Sequence, residues 1–433
     1  MNILITNFHS IKNKGDLGIV LGLMDGLKVV NKSFNFAIIG RNIEERSWWE
    51  SRGVKFFLPL LKLPKYKKGR WFSSLTNKAS AMLFFGNYYL SLAVLRFPRL
   101  AFWYYKDSEE MLKTLTAYNR SAIIISKGGS FFREPEYRVN ILPVGIMSHL
   151  HQLLTGLMLK KAVILSAQSF GPINNPYSKL IMRRALLNFK LITTRETDSK
   201  AFLNNKLKIS KNVVLAGDLA FLLKIKEVES EDNKILHKIV KDKKNGHICV
   251  GLTVRSWSEQ KQFRSYVDSL AAFINEYAVR GFRFYLMPQS IGPSESEDDR
   301  IIFKKILEAL PDDIKFQVRV VNNDLKVNEL LGLYGRMDYF VATRLHSAIF
   351  ALLSGVPVMA IGYEPKTAGV FKDLDLNRFV LDIRNFSPEI IKRTFETLLK
   401  TPKDIFSSAG SRAVILSKKN IEAILAVINL SAN

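Results

Sequence analysis

The stretch DYFVATRLHSAIFALLSGVPVMAIG, residues 338–362, decides the fold. A short run rich in aromatic and β-branched residues (338–343) is followed by an apolar stretch suited to a short helix. Past Ser354 and Gly355 comes a second strand-like run, VPVMAIG (356–362). Neither strand pattern alternates with polar residues, so both faces are buried, as in a parallel sheet whose neighbours are joined by a crossover helix. Arg344 and His346 stand where the first strand ends and Ser347 opens the helix, a terminus whose positive end favours anions.

The same alternation extends in both directions. Strand patterns lie at 2–6, 36–39, 122–126, 162–167, 191–194 and 212–216, with helical patterns such as DLGIVLGLMDGLKVV and SKLIMRRALLNF between them. A charged, weakly periodic segment, 224–246, reads as a linker. The alternation then restarts with ICVGLTV and continues through 282–288 and 316–321 to the opening stretch. The expected architecture is α/β, two doubly wound Rossmann-like domains facing across a cleft: residues 1–223 and 247–385, with helices over 386–433. At 433 residues and 47% apolar content, the chain is long enough for two such cores.

Charge is unevenly spread over the net +25: residues 1–223 carry 33 Lys and Arg against 13 Asp and Glu, and residues 224–433 carry 31 against 26. Between Glu50 and Asp107 there is no acid, only eleven basic residues interleaved with aromatics, as in KLPKYKKGRWF and LRFPRLAFWYY. This insertion, about 52–106, suits an anionic membrane surface or an acidic glycan. No zinc-finger spacing, RRM aromatic signature or basic zipper accompanies it, so nucleic acid is not the expected partner. The apolar segment 81–105 is broken by Asn87, Arg96, Pro98 and Arg99, and the opening MNILITNFHS has no signal-peptide pattern. The expected location is cytoplasmic, with peripheral attachment at the inner face of the membrane as the further reading. Cys249, the one cysteine, falls in an apolar run and excludes an internal disulfide.

In doubly wound folds the loops after the strands line the crevice, so the candidate residues are those just past each strand. After the first strand, Gly15 and Asp16 open a helix, with Asp16 suited to its N-cap. Gly128 and Gly129 in KGGSFF would let a ligand approach the backbone. Gln168 in QSFGP and Gln289 in QSIGP follow strands in the two halves, and their amides fit a shared ligand. Arg195 in RETDS and Arg255 in GLTVRSW stand at equivalent strand ends of the two halves, and guanidinium groups there can clamp a carboxylate or phosphate from opposite walls. No Walker A loop, full GxGxxG, HExxH or GxSxG occurs, which removes support for ATP, NAD, zinc-hydrolase and serine-hydrolase readings. The spacing of His149 and His151 turns them to different sides of a helix, and no metal site is expected.

The order of KGDLGIV, KGGSFF, AQSFGP, TTRETDS, GDLAFLL, GLTVR and ATRLHSAIFALLSGVPVMAIGYEPKTAGVFKDLDL resembles the bacterial polysaccharide pyruvyl transferase family over roughly residues 1–380, leaving 50–110 outside. The resemblance implies a GT-B-like fold that moves pyruvate from phosphoenolpyruvate to a sugar as a cyclic ketal, with no metal or organic cofactor. The acceptor would lie on the N-terminal side and the donor on the C-terminal side; a lipid-linked glycan is one form the acceptor would take. It further implies His346 as the general acid that protonates the methylene carbon, and Arg195 and Arg344 as holders of the carboxylate and phosphate. Such chemistry needs a group that exchanges protons near neutrality and cations for a trianion, which His and Arg supply. Glu364 and Lys366, past VPVMAIG, are candidates to support the histidine and to meet the phosphate. The chain departs from the family pattern at KNKGD, at Leu219 where Pro is usual, and at Lys127 before the glycine pair. The rival readings are a GT-B glycosyltransferase with a nucleotide-sugar donor and a membrane-surface scaffold without catalysis.

Overall fold

Two parallel sheets carry the chain, and both follow from apolar runs too short for helices and too uniformly apolar for a half-exposed sheet. The computed structural model describes residues 1–63, 72–134, 143–225, 234–256 and 260–432. They form two compact units. Unit 1 comprises Met1–Ser10, Leu23–Gly217 and Lys418–Asn433, and unit 2 comprises Ile11–Gly22 and Asp218–Ser417.

In unit 1 the strands are β1 (Asn2–Phe8), β2 (Asn35–Gly40), β3 (Lys55–Phe57), β4 (Ile123–Ser126), β5 (Gly129–Phe132), β6 (Ala162–Phe170), β7 (Leu191–Thr194) and β8 (Val213–Leu215). They run in the order β3-β2-β1-β4-β6-β7-β8, with β5 alongside β6. The core is built from the strand interiors Leu4, Ile124 and Leu165 against helix residues such as Leu115, Leu150 and Met182, all buried. The C-terminal tail joins this unit through Asn420. Its Oδ1 accepts from Thr193 Oγ1 at 2.9 Å and its Nδ2 donates to the Gly217 carbonyl at 3.3 Å.

Unit 2 contains β9 (Ile248–Thr253), β10 (Phe282–Leu286), β11 (Val318–Val320), β12 (Tyr339–Ala342), β13 (Val358–Gly362) and β14 (Val380–Asp382), in the order β11-β10-β9-β12-β13-β14. The opening stretch takes the form read from the sequence. β12 pairs in parallel with β13, Phe340 opposite Val358 and Ala342 opposite Ala360. The helix Leu345–Leu353 crosses between them. It stops because Gly355 takes up φ +71°, a left-handed conformation that a side chain would disfavour. Cys249 is buried in β9, where burial pushes its thiol up to about 11.

The sequence patterns missed β3, β5 and β14, which have three, four and three residues. Periodicity cannot be read over so few positions. The segment 224–246 also differs from its reading as a linker: Lys234–Lys244 is a helix whose Ile239 is buried and whose Asp242 accepts from Tyr285 Oη at 2.7 Å. Its five lysines dilute the apolar spacing, and 226–233 lie outside the described residues.

Candidate functional site

In the sheet of unit 2 the strand order reverses between β9 and β12, the place where doubly wound folds bind ligands beyond the strands' carboxyl ends. Arg255 follows β9; Arg344 and His346 follow β12; Glu364 and Lys366 follow β13. Three neighbouring strands therefore deliver these side chains to one edge. The loop after β12 is held by short polar contacts. Ser347 Oγ donates to the Arg344 carbonyl at 2.6 Å and meets Thr253 Oγ1 at 2.7 Å, and Thr343 Oγ1 meets the buried Tyr266 Oη at 2.7 Å.

His346 occupies the first turn of the helix Leu345–Leu353, and its Nε2 lies 3.5 Å from Asp218 Oδ2. The other oxygen of Asp218 accepts from the Ala220 amide at 2.9 Å, and its backbone carbonyl accepts from Ser417 Oγ at 2.7 Å. Asp218 is thus held at both its carboxylate and its backbone, with a side chain only 1% exposed. Sequence reasoning placed Glu364 beside the histidine, whereas the structure puts Asp218 there and pairs Glu364 with Lys366 at 2.5 Å. GDLAFLL entered only through the resemblance; an acid opening an otherwise apolar segment was the signal available.

On its other side the imidazole rests on Gly15. A Cβ added there would come within 2.5 Å of His346 Cγ and 2.7 Å of its Cβ, far inside contact distance. Gly15, Gly18 and Gly22 lie on one face of the helix Lys14–Val30, where Gly15 and Gly22 lack room for a methyl group against His346 and the Leu219 backbone, and Gly18 sits tightly against Phe350. Gly15→Ala is expected to leave the fold intact but displace the ring, lowering kcat by about 10²-fold, the scale of an ångström-level misplacement. Unchanged turnover beside an unchanged melting curve would show that the ring position does not matter. Asp16 does not cap this helix. Asn13 does, its Oδ1 accepting from the Gly15 and Asp16 amides at 3.1 and 3.2 Å, which leaves Asp16 in the first turn.

Arg344 is committed to a carboxylate. Its Nη2 donates to Asp299 Oδ1 at 2.7 Å, its Nε to both Asp299 oxygens at 3.0 and 3.1 Å, and Nη2 also to the Glu297 carbonyl at 3.2 Å. Asp299 is fully buried and accepts the Gln289 and Ser290 amides, each at 2.9 Å. Burial opposes the guanidinium charge, but the attraction of Asp299 outweighs it and holds the Arg344 pKa above its ordinary value. Gln289 Oε1 accepts from Tyr334 Oη at 2.8 Å, while its Nε2 is buried with no hydrogen-bond partner among the described residues. Asp299 lay unrecognised in the acidic run SESEDDR, which reads as a solvated turn.

Arg255 differs from the other cations of this edge. Its guanidinium stacks 4.1 Å above the Tyr363 ring and donates to the Tyr363 hydroxyl, and among the described residues no carboxylate pairs with it. Lys366 stands 5.8 Å from the same ring. Tyr363, which sequence reasoning passed over, therefore organises two of the expected anion-binding groups.

Arg195, Gln168, Gly128 and Gly129 belong to unit 1. The Arg195 side chain is fully buried, its Nε donating to Ser169 Oγ at 2.7 Å and lying 3.5 Å from Glu196 Oε2. Gln168 Nε2 donates to the Ser169 carbonyl at 2.8 Å. Gly128 has no room for a Cβ, which would fall 2.6 Å from the Ala167 carbonyl oxygen, and Gly129 takes φ +153°. The likeness of QSFGP and QSIGP is local: β6 lies beyond β4 from β1, whereas β10 flanks β9 on the side away from β12. By the same test Arg195, after β7, and Arg255, after β9, do not end equivalent strands. His149 and His151 make separate structural contacts, His149 Nδ1 with Asn7 Oδ1 at 3.0 Å and His151 Nε2 with Ser91 Oγ at 2.7 Å. Burial brings the His151 pKa down to about 3.

Comparison with known proteins bears on this geometry. The chain is 26% identical over 401 residues to the amylovoran biosynthesis protein AmsJ of Erwinia amylovora, covering 89% of each chain. It shares its fold with UDP-GlcNAc 2-epimerase from Neisseria meningitidis, at TM-score 0.56 and 11% identity over 99% of both chains. Arabidopsis thaliana UGT89C1 matches at TM-score 0.56 and 10% identity over 98% of both chains. The fold is accordingly GT-B-like. Residues 13–365 match the family model for polysaccharide pyruvyl transferases, and this chain, a transferase, belongs to that family.

Proposed function

We propose that this protein transfers pyruvate from phosphoenolpyruvate to two hydroxyls of a sugar in an exopolysaccharide or its precursor, forming a cyclic ketal. The observation that carries the reading is His346 held between Asp218 and Gly15, on the same sheet edge as Arg255, a cation with no carboxylate partner among the described residues. The His346 imidazolium gives its proton to the methylene carbon of phosphoenolpyruvate, which becomes the methyl group of the product. The adjacent carbon becomes electrophilic, one sugar hydroxyl adds to it and its proton returns to His346, phosphate departs with the bridging oxygen, and a second hydroxyl closes the ketal, its proton leaving with the phosphate. Asp218 orients the ring and balances its charge when protonated. Arg255 and Lys366 receive the donor's anionic groups, and Arg344, paired with Asp299, holds the loop that starts the helix carrying His346. The scheme needs no metal or organic cofactor.

The relation to an amylovoran biosynthesis protein supports an exopolysaccharide acceptor. The experiment is incubation of the purified chain with phosphoenolpyruvate and glycan acceptors, lipid-linked ones included, with phosphate release and the added pyruvyl mass as readouts. Phosphate release that depends on acceptor is the expected result. Turnover of nucleotide sugars in its place would overturn the proposal in favour of glycosyl transfer.

A further inference from the structure

Between β3 and β4, unit 1 carries the helix Phe72–Val94 and then the shorter helix Pro98–Tyr104. The inner face of the longer helix is accounted for: Phe84 and Tyr88 are buried with Leu61 and Met147 in a small core of their own. Its outer face is the anomaly. Met82 and Leu83 are each 70% exposed and Leu90 is 50% exposed, on a stripe shared with Gly86 and Ala93 that carries no charge. A helix on the surface of a water-soluble domain ordinarily turns charged residues outward; one that is apolar on both faces has an apolar partner on each.

Exposed apolar side chains recur after the turn. Phe97 is 63% and Trp103 is 62% exposed, with Leu100 and Phe102 nearby in sequence. Here the charges return, and all have one sign: Arg96, Arg99 and Lys106 are exposed, and Lys106 Nζ sits 5.3 Å from the centre of the Trp103 ring. No acidic residue occurs between Glu50 and Asp107. The basic run before the long helix adds to the same sign, although its residues 64–71 lie outside the described residues.

From these features we infer that the outer face of Phe72–Val94 and Pro98–Tyr104 docks in the plane of an anionic lipid bilayer. The aliphatic and aromatic side chains enter the headgroup boundary, and Arg96, Arg99 and Lys106 meet lipid phosphates. Among the described residues no helix is long and apolar enough to cross a membrane, so the face lies on the bilayer. Charge selects this occupant over a second copy of the chain, because two such faces would oppose arginine to arginine with no acid in the segment to relieve them. Trp103 beside Lys106 suits the interfacial layer, where an amphipathic ring and a cation both find partners. The inference goes beyond pyruvyl transfer and does not rest on it, but it would hold the enzyme where a lipid-linked acceptor is found.

The test is flotation of the full chain with vesicles of phosphatidylcholine, with and without phosphatidylglycerol. Binding is expected to the anionic vesicles, weakening as salt rises, and to be slight on neutral ones. Arg96→Ala with Arg99→Ala should weaken it roughly thirtyfold, as expected for two basic residues near a charged surface. Leu83→Asp with Leu90→Asp should abolish it, with circular dichroism and acceptor-dependent phosphate release in detergent-dispersed substrate unchanged. Equal binding to both vesicle types, or variants that bind like the parent, would overturn the inference. A patch variant that turns a dimer into a monomer in light scattering without altering flotation would overturn it too, in favour of self-association. Flotation needs no phosphoenolpyruvate, so its failure is distinct from failure of the proposed reaction.

Discussion

His346→Ala is expected to lower turnover with phosphoenolpyruvate and acceptor by about 10²–10⁴-fold, the range for removing a positioned general acid. Phosphoenolpyruvate binding, measured by calorimetry, should survive, because Arg255 and Lys366 stand on neighbouring loops and do not depend on the imidazole for their placement. That combination separates a proton donor from a residue that merely holds substrate, which would raise KM and leave kcat alone. Asp218→Asn should give a smaller kcat loss in the same direction, since the asparagine keeps the size and the amide contact of Asp218 but not its charge. Turnover of His346→Ala within a few-fold of the parent would remove the histidine from the chemistry and leave the proposed reaction without its acid.

Asp299→Ala should destabilise the protein by about 3–5 kcal/mol, the cost of leaving a buried cation without its partner. Arg344 would keep the Glu297 carbonyl but lose its bidentate carboxylate, and the Gln289 and Ser290 amides would lose their acceptor. The expected readout is a lower denaturant midpoint at unchanged slope. A double replacement, Asp299→Leu with Arg344→Met, should recover much of that stability, because a well-packed apolar pair removes the orphaned charge, while catalysis stays low. If Asp299→Ala unfolds at the parent's midpoint, the pair is not the anchor of the β12 loop and Arg344 is free to serve as a direct donor ligand.

Most of the strands were legible because parallel strands buried on both faces leave uninterrupted apolar runs, as in IIIS, LITT and VMAIG. The same logic fails for KFF and VLD, which are too short to show a pattern. Lys234–Lys244 escaped notice because its lysines obscure the few residues it buries. At the site, Arg344, His346, Arg255 and Lys366 could be picked out by their place just past a strand. Asp299 could not, since nothing local distinguishes a carboxylate that will meet a distant cation from one that will face water, and Asp218 offered only its place ahead of an apolar segment.

By itself the sequence determined two parallel α/β sheets, the reactive residue types at the strand ends and an acid-free, aromatic-rich insertion, because periodicity, strand termini and charge balance are properties of neighbours along the chain. Only the tertiary structure decided which acid stands beside His346, that Gly15 must be bare for the ring to fit, and that Arg344 is neutralised while Arg255 is not. It also decided that one helix of the insertion has an apolar face with nothing described packed over it. These are pairings between segments far apart in the chain. Burial and close packing select them only once the sheets have brought the loops together.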